Sequence, residues 1–300
     1  MICEKCGCEY EGKYCPNCRK NAVNAGIVAV AKAFAYSLFF VGIQFIIQLA
    51  FVIVQAFIAA LSGAGDLDMY DQIVESLYAN VCKMTILSSL VTILAVGVIF
   101  LARRLPIGEQ IRLKPVVPRT LGLIALFGAA LQVVISVTVD TIPWPQSWLD
   151  ALLQVNDFLL SESLLLQILA VVILGPITEE LIFRGLVHTR LRRAFPPLVA
   201  ALLSGVAFGI VHGNMIQFFY AAALGVVLGL VMERYNSLLP CILIHIVFNG
   251  TSFLVTLIPS AAVLIPVYLV CVAVVIFCAY RIWFKKNDVK NGKETPDEAV

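Results

Sequence analysis

Two adjacent glutamates and an arginine lie within an apolar stretch of the chain, GPITEELIFRG at residues 175–185. A charged side chain at the centre of a bilayer costs roughly 2.5 to 3.5 kcal/mol on insertion scales, so such residues indicate a functional polar site. In a helix Glu180 and Arg184 are four positions apart and share a face, which predicts an ion pair. Glu179 points about 100° away from that face. The motif therefore predicts one carboxylate that is held and one that is available.

Two histidines follow at equal intervals, 33 residues from Glu179 to His212 and 33 from His212 to His245. Phe208 lies one helical turn before the first histidine, and Asn249 lies one turn after the second. A single histidine in a membrane span often only bonds a neighbouring helix. Two imidazoles and an unpaired carboxylate supply a base, a tunable acid and donors for an oxyanion, which hydrolysis of an acyl bond requires. We expect these side chains to converge.

Five of the nine cysteines lie in the first 18 residues, MICEKCGCEYEGKYCPNC. Cys3 and Cys6 form one CxxC motif, and Cys15 and Cys18 form a second. Four such thiolates form the closed tetrahedral shell of a structural zinc ion. Cys8 is predicted to be free, although it is an alternative to Cys6 as a ligand. Two disulfides are the competing interpretation, and a predicted cytoplasmic location disfavours them. Without its metal this short segment is expected to be unfolded.

Membrane helices must position these residues, because the 300-residue chain is 61% hydrophobic and only 13% charged. Several apolar runs reach about 20 residues, the length of a membrane span, which excludes a soluble domain. The net charge of +2 gives no indication of nucleic-acid binding. Eight runs are predicted to span the bilayer, and they start near residues 25, 81, 120, 163, 197, 216, 238 and 261.

The charges of the loops predict an orientation. Loops 102–119, 190–196 and 233–237 carry Lys or Arg, whereas loops 62–80 and 140–162 carry acidic residues and no basic one. The positive-inside rule then places both termini in the cytoplasm.

The predicted fold class is an all-α polytopic membrane protein with eight transmembrane helices. Residues 1–20 are predicted to form the zinc knuckle and residues 25–285 the membrane domain, whose catalytic core is 163–257. Residues 286–300 are predicted to be a disordered tail.

Together the motifs resemble those of the CPBP intramembrane proteases, the family of the eukaryotic Ras-converting CAAX protease and of bacterial Abi and bacteriocin-immunity proteins. Every motif position is met, by Glu179, Glu180 and Arg184 for EExxxR, by Phe208 and His212 for FxxxH, and by His245 and Asn249 for HxxxN. The resemblance covers residues 163–257, and the cysteine-rich segment lies outside it.

The resemblance implies an endopeptidase that cuts a prenylated or membrane-anchored substrate with water activated by glutamate and histidine. On this model Glu179 is the general base and His212 orients the water. His245 and Asn249 stabilise the oxyanion. The substrate and the bilayer are the implied partners, and the implied location is a bacterial cell membrane.

Several roles stay open at this point. Glu180, Arg184 and Phe208 are either structural or in contact with the substrate. Two imidazoles and a carboxylate also form an acceptable His2Glu zinc shell, although the same residues work without a metal, which we slightly favour. A non-proteolytic scaffold or immunity protein of the same fold is the main alternative function. A proton transporter is the third, and it does not require the HxxxN pair.

Other polar residues receive simpler interpretations. His188 lies beside Arg190 at a predicted cytoplasmic helix end, where solvation by the interface accounts for it. Gln44, Gln48 and Gln55 are spaced for one face of the first helix, where they are able to bond another helix.

Overall fold

A computed structural model describes residues 2, 9, 16–62, 65–255 and 261–284. Regular structure in these ranges is helical, apart from one isolated bridge between Ile2 and Glu9. The predicted zinc ligands Cys3, Cys6 and Cys15 lie outside the described residues, as does the predicted tail at 286–300. Of the fourth predicted ligand, Cys18, only the backbone is described.

Helices of 13 or more residues account for most of the described chain. They are α1 (Pro16–Leu61), α2 (Asp66–Tyr78), α3 (Val81–Ala102), α4 (Pro118–Thr141), α5 (Gln146–Leu160), α6 (Leu164–Leu191), α7 (Pro197–Ile210), α8 (Met215–Tyr235), α9 (Leu239–Val255) and α10 (Ala261–Phe284).

Six of these helices, α1, α3, α4, α6, α8 and α10, are long and apolar enough to cross a bilayer. The predicted fifth and seventh spans form the shorter apolar helices α7 and α9, of 14 and 17 residues. The protein is therefore an all-helical integral membrane protein, as the composition predicts. The number of eight spans and the orientation of the termini stay predictions.

Helix α6, which carries EExxxR, departs from regular α-helical geometry. Two π-helical segments, Ile168–Leu174 and Leu181–His188, flank the α-helical turns Gly175–Glu180. Pro176 has no N–H to donate to the preceding turn. A Cβ atom at Gly175 would lie only 2.7 Å from the carbonyl oxygen of Ala170, so this wide turn requires glycine. π-Helical turns of this kind are frequent at functional sites.

A tight connection joins α7 to α8 and contains His212. Helix α7 ends at Ile210, and Gly213 adopts a left-handed conformation with φ of 69°. Asn214 then caps α8, because its Oδ1 accepts from the backbone N–H groups of Ile216 and Gln217 at 2.9 and 3.1 Å. His212, at the approximate end of the predicted fifth span, lies in this turn, because α7 ends at Ile210 before the glycine and the cap.

One end of the helix bundle, which we call the basic end, is held together around Glu233. This carboxylate accepts from Arg112 Nη1 at 2.9 Å and from Arg192 Nε at 2.6 Å. His188 Nε2 lies 3.1 Å from the same carboxylate, and His188 Nδ1 lies 3.2 Å from Ser204 Oγ. The interpretation of His188 as a solvated residue was wrong, because its side chain is fully buried against α7 and α8.

Small residues let α7 and α8 approach each other closely. Gly225 and Gly229, four positions apart in α8, face Gly205 and Ala201 of α7. A Cβ atom at Gly225 would lie 2.7 Å from Gly205 Cα and 3.1 Å from Arg184 Nη2. The close approach therefore also makes room for the arginine of EExxxR.

We expect Gly225→Ala to destabilise the protein by about 1 to 3 kcal/mol, because the added methyl group overpacks this contact. The measurement is unfolding in detergent micelles. Gly97→Ala in α3 is the matched control, since nothing lies within 4 Å of a Cβ atom there. Equal losses of stability in the two variants would contradict the prediction.

Candidate active site

The two glutamates of EExxxR lie on either side of the His245 imidazole. Glu180 Oε1 accepts from Arg184 Nη1 at 2.7 Å, which is the predicted ion pair, and lies 2.9 Å from His245 Nδ1. Glu179 Oε2 lies 3.6 Å from the other ring nitrogen, Nε2. Two adjacent residues of α6 thus lie next to the two different nitrogens of one imidazole ring on α9.

The two carboxylates differ in their access to the surroundings. The side chains of Glu180 and Arg184 are completely buried, whereas that of Glu179 is 24% exposed. Because an ionised carboxylate only accepts hydrogen bonds, Glu180 requires the proton of His245 on Nδ1. The Nε2 atom that faces Glu179 then has a lone pair in the neutral ring and an N–H in the imidazolium.

Phe208 is the point where the motifs meet. The Arg184 guanidinium lies over its ring at 4.4 Å from the centroid, a cation–π contact. The His212 and His245 rings approach it edge-on, with centroid distances of 4.8 and 5.7 Å. Since Phe208 is fully buried, its contacts favour the structural role over contact with the substrate.

His212 is held by the backbone of the same segment. Its Nδ1 donates to the carbonyl oxygen of Phe208 at 2.8 Å, since a carbonyl only accepts. The Nε2 atom therefore carries the lone pair that is left for other partners. The spacing FxxxH thus provides both the ring contact and the orienting hydrogen bond.

Asn249 is engaged with α6 rather than with the histidines. Its Nδ2 donates to the carbonyl oxygen of Val171 at 2.8 Å, within the first π-helical segment. A wide turn leaves backbone carbonyls that need such donors. One N–H of the amide is still available, so the oxyanion role of Asn249 stays a prediction.

The fit of a catalytic metal can be judged from the side chains. Among the residues that the structure describes, no three His, Cys, Asp or Glu side chains are placed to hold a metal ion. His245 Nδ1 bonds to Glu180, which leaves Nε2 as the one ring atom that could bind a metal. As placed in this structure, Glu179, His212 and His245 do not form a His2Glu zinc shell.

A polar cavity of about 210 Å³, which the sequence did not predict, adjoins Glu179. Besides Glu179, its polar walls come from α1 and α3 and comprise Gln44, Gln48, Thr85, Ser88 and Ser89. These helices lie outside the segment that carries the motifs. The shared face of Gln44 and Gln48 was the available signal, but it did not show which helix the face meets.

The comparisons with known proteins bear on the same segment. Residues 161–251 match the protein-family model described as type II CAAX prenyl endopeptidase Rce1-like. This segment of the chain is therefore similar to the CAAX prenyl endopeptidases. The matched stretch of the chain contains all three motifs, on α6 to α9. Helices α1 to α5 and α10 lie outside it. Comparisons with curated proteins and with solved structures found no match.

We expect Arg184→Leu to lower the free energy of unfolding by about 3 to 5 kcal/mol, because it leaves the Glu180 carboxylate buried without its main counter-charge. Unfolding in detergent measures the change. Arg103→Leu removes an exposed arginine at the end of α3 and should leave the unfolding midpoint nearly unchanged. A similar small effect for both variants would show that the buried pair does not hold the site.

Proposed function

We propose that the protein is an intramembrane endopeptidase that hydrolyses a peptide bond of a membrane-anchored or prenylated substrate. One observation carries the proposal. Glu179 is partly exposed beside a polar cavity and lies 3.6 Å from His245 Nε2, while buried Glu180 holds the other side of the same ring. The family match supports this reaction class.

In the proposed reaction Glu179 accepts a proton from a water molecule as the water oxygen bonds to the scissile carbonyl carbon. The charge that develops on the carbonyl oxygen needs a donor nearby. His212 orients the water through Nε2. His245 stabilises the oxyanion as the imidazolium, whose second N–H is on Nε2, together with the remaining N–H of Asn249. The proton held by Glu179 then passes to the leaving nitrogen as the C–N bond breaks.

Glu180 is a positioning residue in this proposal, because its full burial keeps it from the substrate. Its hydrogen bond fixes the orientation and the tautomer of His245, as a carboxylate behind a catalytic histidine does. Arg184 in turn fixes Glu180.

We expect Glu179→Gln to reduce cleavage by about 10²-fold to 10⁴-fold, the usual contribution of a general base. Folding should be preserved, since the side chain is partly exposed and glutamine has nearly the same shape. The measurement is a proteomic comparison of membranes from cells that carry this variant or the parent chain, followed by a cleavage assay on the accumulating substrate.

Glu109→Gln is the control, because this exposed carboxylate lies in the loop between α3 and α4. A folded Glu179→Gln protein with full biological activity would favour the scaffold or immunity function instead. The same comparison identifies the natural substrate.

We further propose that the N-terminal segment holds one structural zinc ion on Cys3, Cys6, Cys15 and Cys18 and that catalysis uses no metal. Replacing the four cysteines by serine is expected to reduce bound zinc from about one ion per chain to none. Elemental analysis measures the zinc, and cleavage by this variant should persist in the presence of a chelator. Loss of cleavage on chelation would instead indicate a catalytic metal.

A further inference from the structure

The cavity beside Glu179 lies between α1 and α3, on the side of the site away from the basic end. Phe40 of α1, which contacts the Phe183 ring, forms one of its apolar walls. From there the lining extends along α3 to Val81, the first residue of that helix. At about 210 Å³ the cavity is smaller than the roughly 300 to 1,000 Å³ of drug-sized pockets. It has room for a short segment of peptide.

The cavity carries a negative charge, which is unusual for a site that would bind the C-terminal carboxylate of a substrate. Glu179 is its one ionisable side chain, and no Lys, Arg or His contributes to the described lining. The nearest arginine of the motif, Arg184, is fully buried and bound to Glu180 and Phe208. A carboxylate in the cavity would therefore face Glu179 without a counter-charge, which is unfavourable at low dielectric.

The hydrogen-bonding groups of the cavity suit a neutral partner. Within the described ranges, the amides of Gln44 and Gln48 and the hydroxyl of Ser89 have no protein partner. Each has donors and acceptors to offer. Unpaired polar groups within a bilayer are costly, so these side chains favour a ligand that supplies both N–H and C=O groups.

The hydroxyls of Thr85 and Ser88 are partly committed. They donate to the backbone carbonyls of Val81 and Thr85 at 2.9 and 3.0 Å, respectively. Their oxygens keep lone pairs and can accept from an amide N–H. The walls thus present acceptors on α3 opposite the two glutamine amides of α1.

We propose that this cavity binds an uncharged stretch of extended peptide backbone next to the scissile bond and excludes a free carboxylate. The proposal rests on the function proposed above and narrows its substrate class. It assigns to Gln44, Gln48 and Ser89 the role of binding backbone amides. When the scissile bond lies beside Glu179, the C-terminal carboxylate of the substrate is then outside the cavity.

The test uses the full-length Gln48→Cys protein in phosphatidylcholine vesicles and follows modification of the introduced thiol by N-ethylmaleimide. Peptide-resolved mass spectrometry separates it from the native cysteines. The competitors are two libraries of uncharged, N-acetylated tetrapeptides, one with C-terminal amides and one with free carboxylates. Tetrapeptides are short enough to bring the terminal group into the cavity.

We expect the amide library to slow the modification, and the carboxylate library to need about tenfold higher concentration for the same effect. Adding Glu179→Gln should remove the difference between the libraries, because the repelling charge is gone. Gln55→Cys is the matched control on the same helix but outside the cavity lining, and neither library should protect it.

Equal protection by both libraries in the presence of Glu179, no protection by either, or equal protection of the Gln55→Cys thiol would overturn the proposal. Protection does not require cleavage, so the two proposals fail separately. If the peptides protect with the expected preference but no peptide is ever cut, the proposed function fails and the binding site stands.

Discussion

The structure depends on one buried ionic contact, in which a single oxygen of Glu180 is shared by Arg184 and His245. None of these groups is exposed enough to be solvated, so each depends on the others for its charge or polarity. Arg184 joins the contact to α7 through the face of Phe208, and His245 joins it to α9. Helices α6, α7, α8 and α9 all meet at this contact, since Gly225 of α8 leaves the space in which the guanidinium lies. The site is thus the polar centre of the α6–α9 assembly.

The remaining helices contribute differently. Helix α1 spans 46 residues, yet only 6% of its apolar window is buried, compared with 44% for α6 and for α8. With α3 it forms one wall of the cavity, so the part of the chain outside the family match supplies the surroundings of Glu179. In the proposals made above, chemistry and selection of the substrate are therefore assigned to different segments: the first to α6 to α9, the second to α1 and α3.

The sequence predicted the features that depend on local spacing. The pair Glu180–Arg184 follows from a spacing of four residues, which remains valid wherever the helix packs. The long membrane helices follow from the lengths of the apolar runs. The π-helical turns of α6 were not predictable, because they depend on the contact of Gly175 with Ala170 and on the donor Asn249 from another helix. His188 was misjudged for the same reason: its partners Ser204 and Glu233 belong to α7 and α8. Whether an end of a helix is buried depends on neighbours that periodicity does not reveal.

The basic end of the bundle has a consequence for the order in which the chain assembles. Arg112 bonds to Glu233, a residue 121 positions later, and its carbonyl oxygen accepts from the backbone N–H of Leu238. During synthesis, which proceeds from the N-terminus, the loop after α3 has neither partner until α8 and the start of α9 have been made. The cavity walls on α1 and α3 are therefore made well before Arg112 is able to form these two bonds. A chain that ends before residue 233 lacks the partners of Arg112 and holds this loop only through earlier contacts, such as the bond from Arg190 of α6 to Gln110 at 3.2 Å.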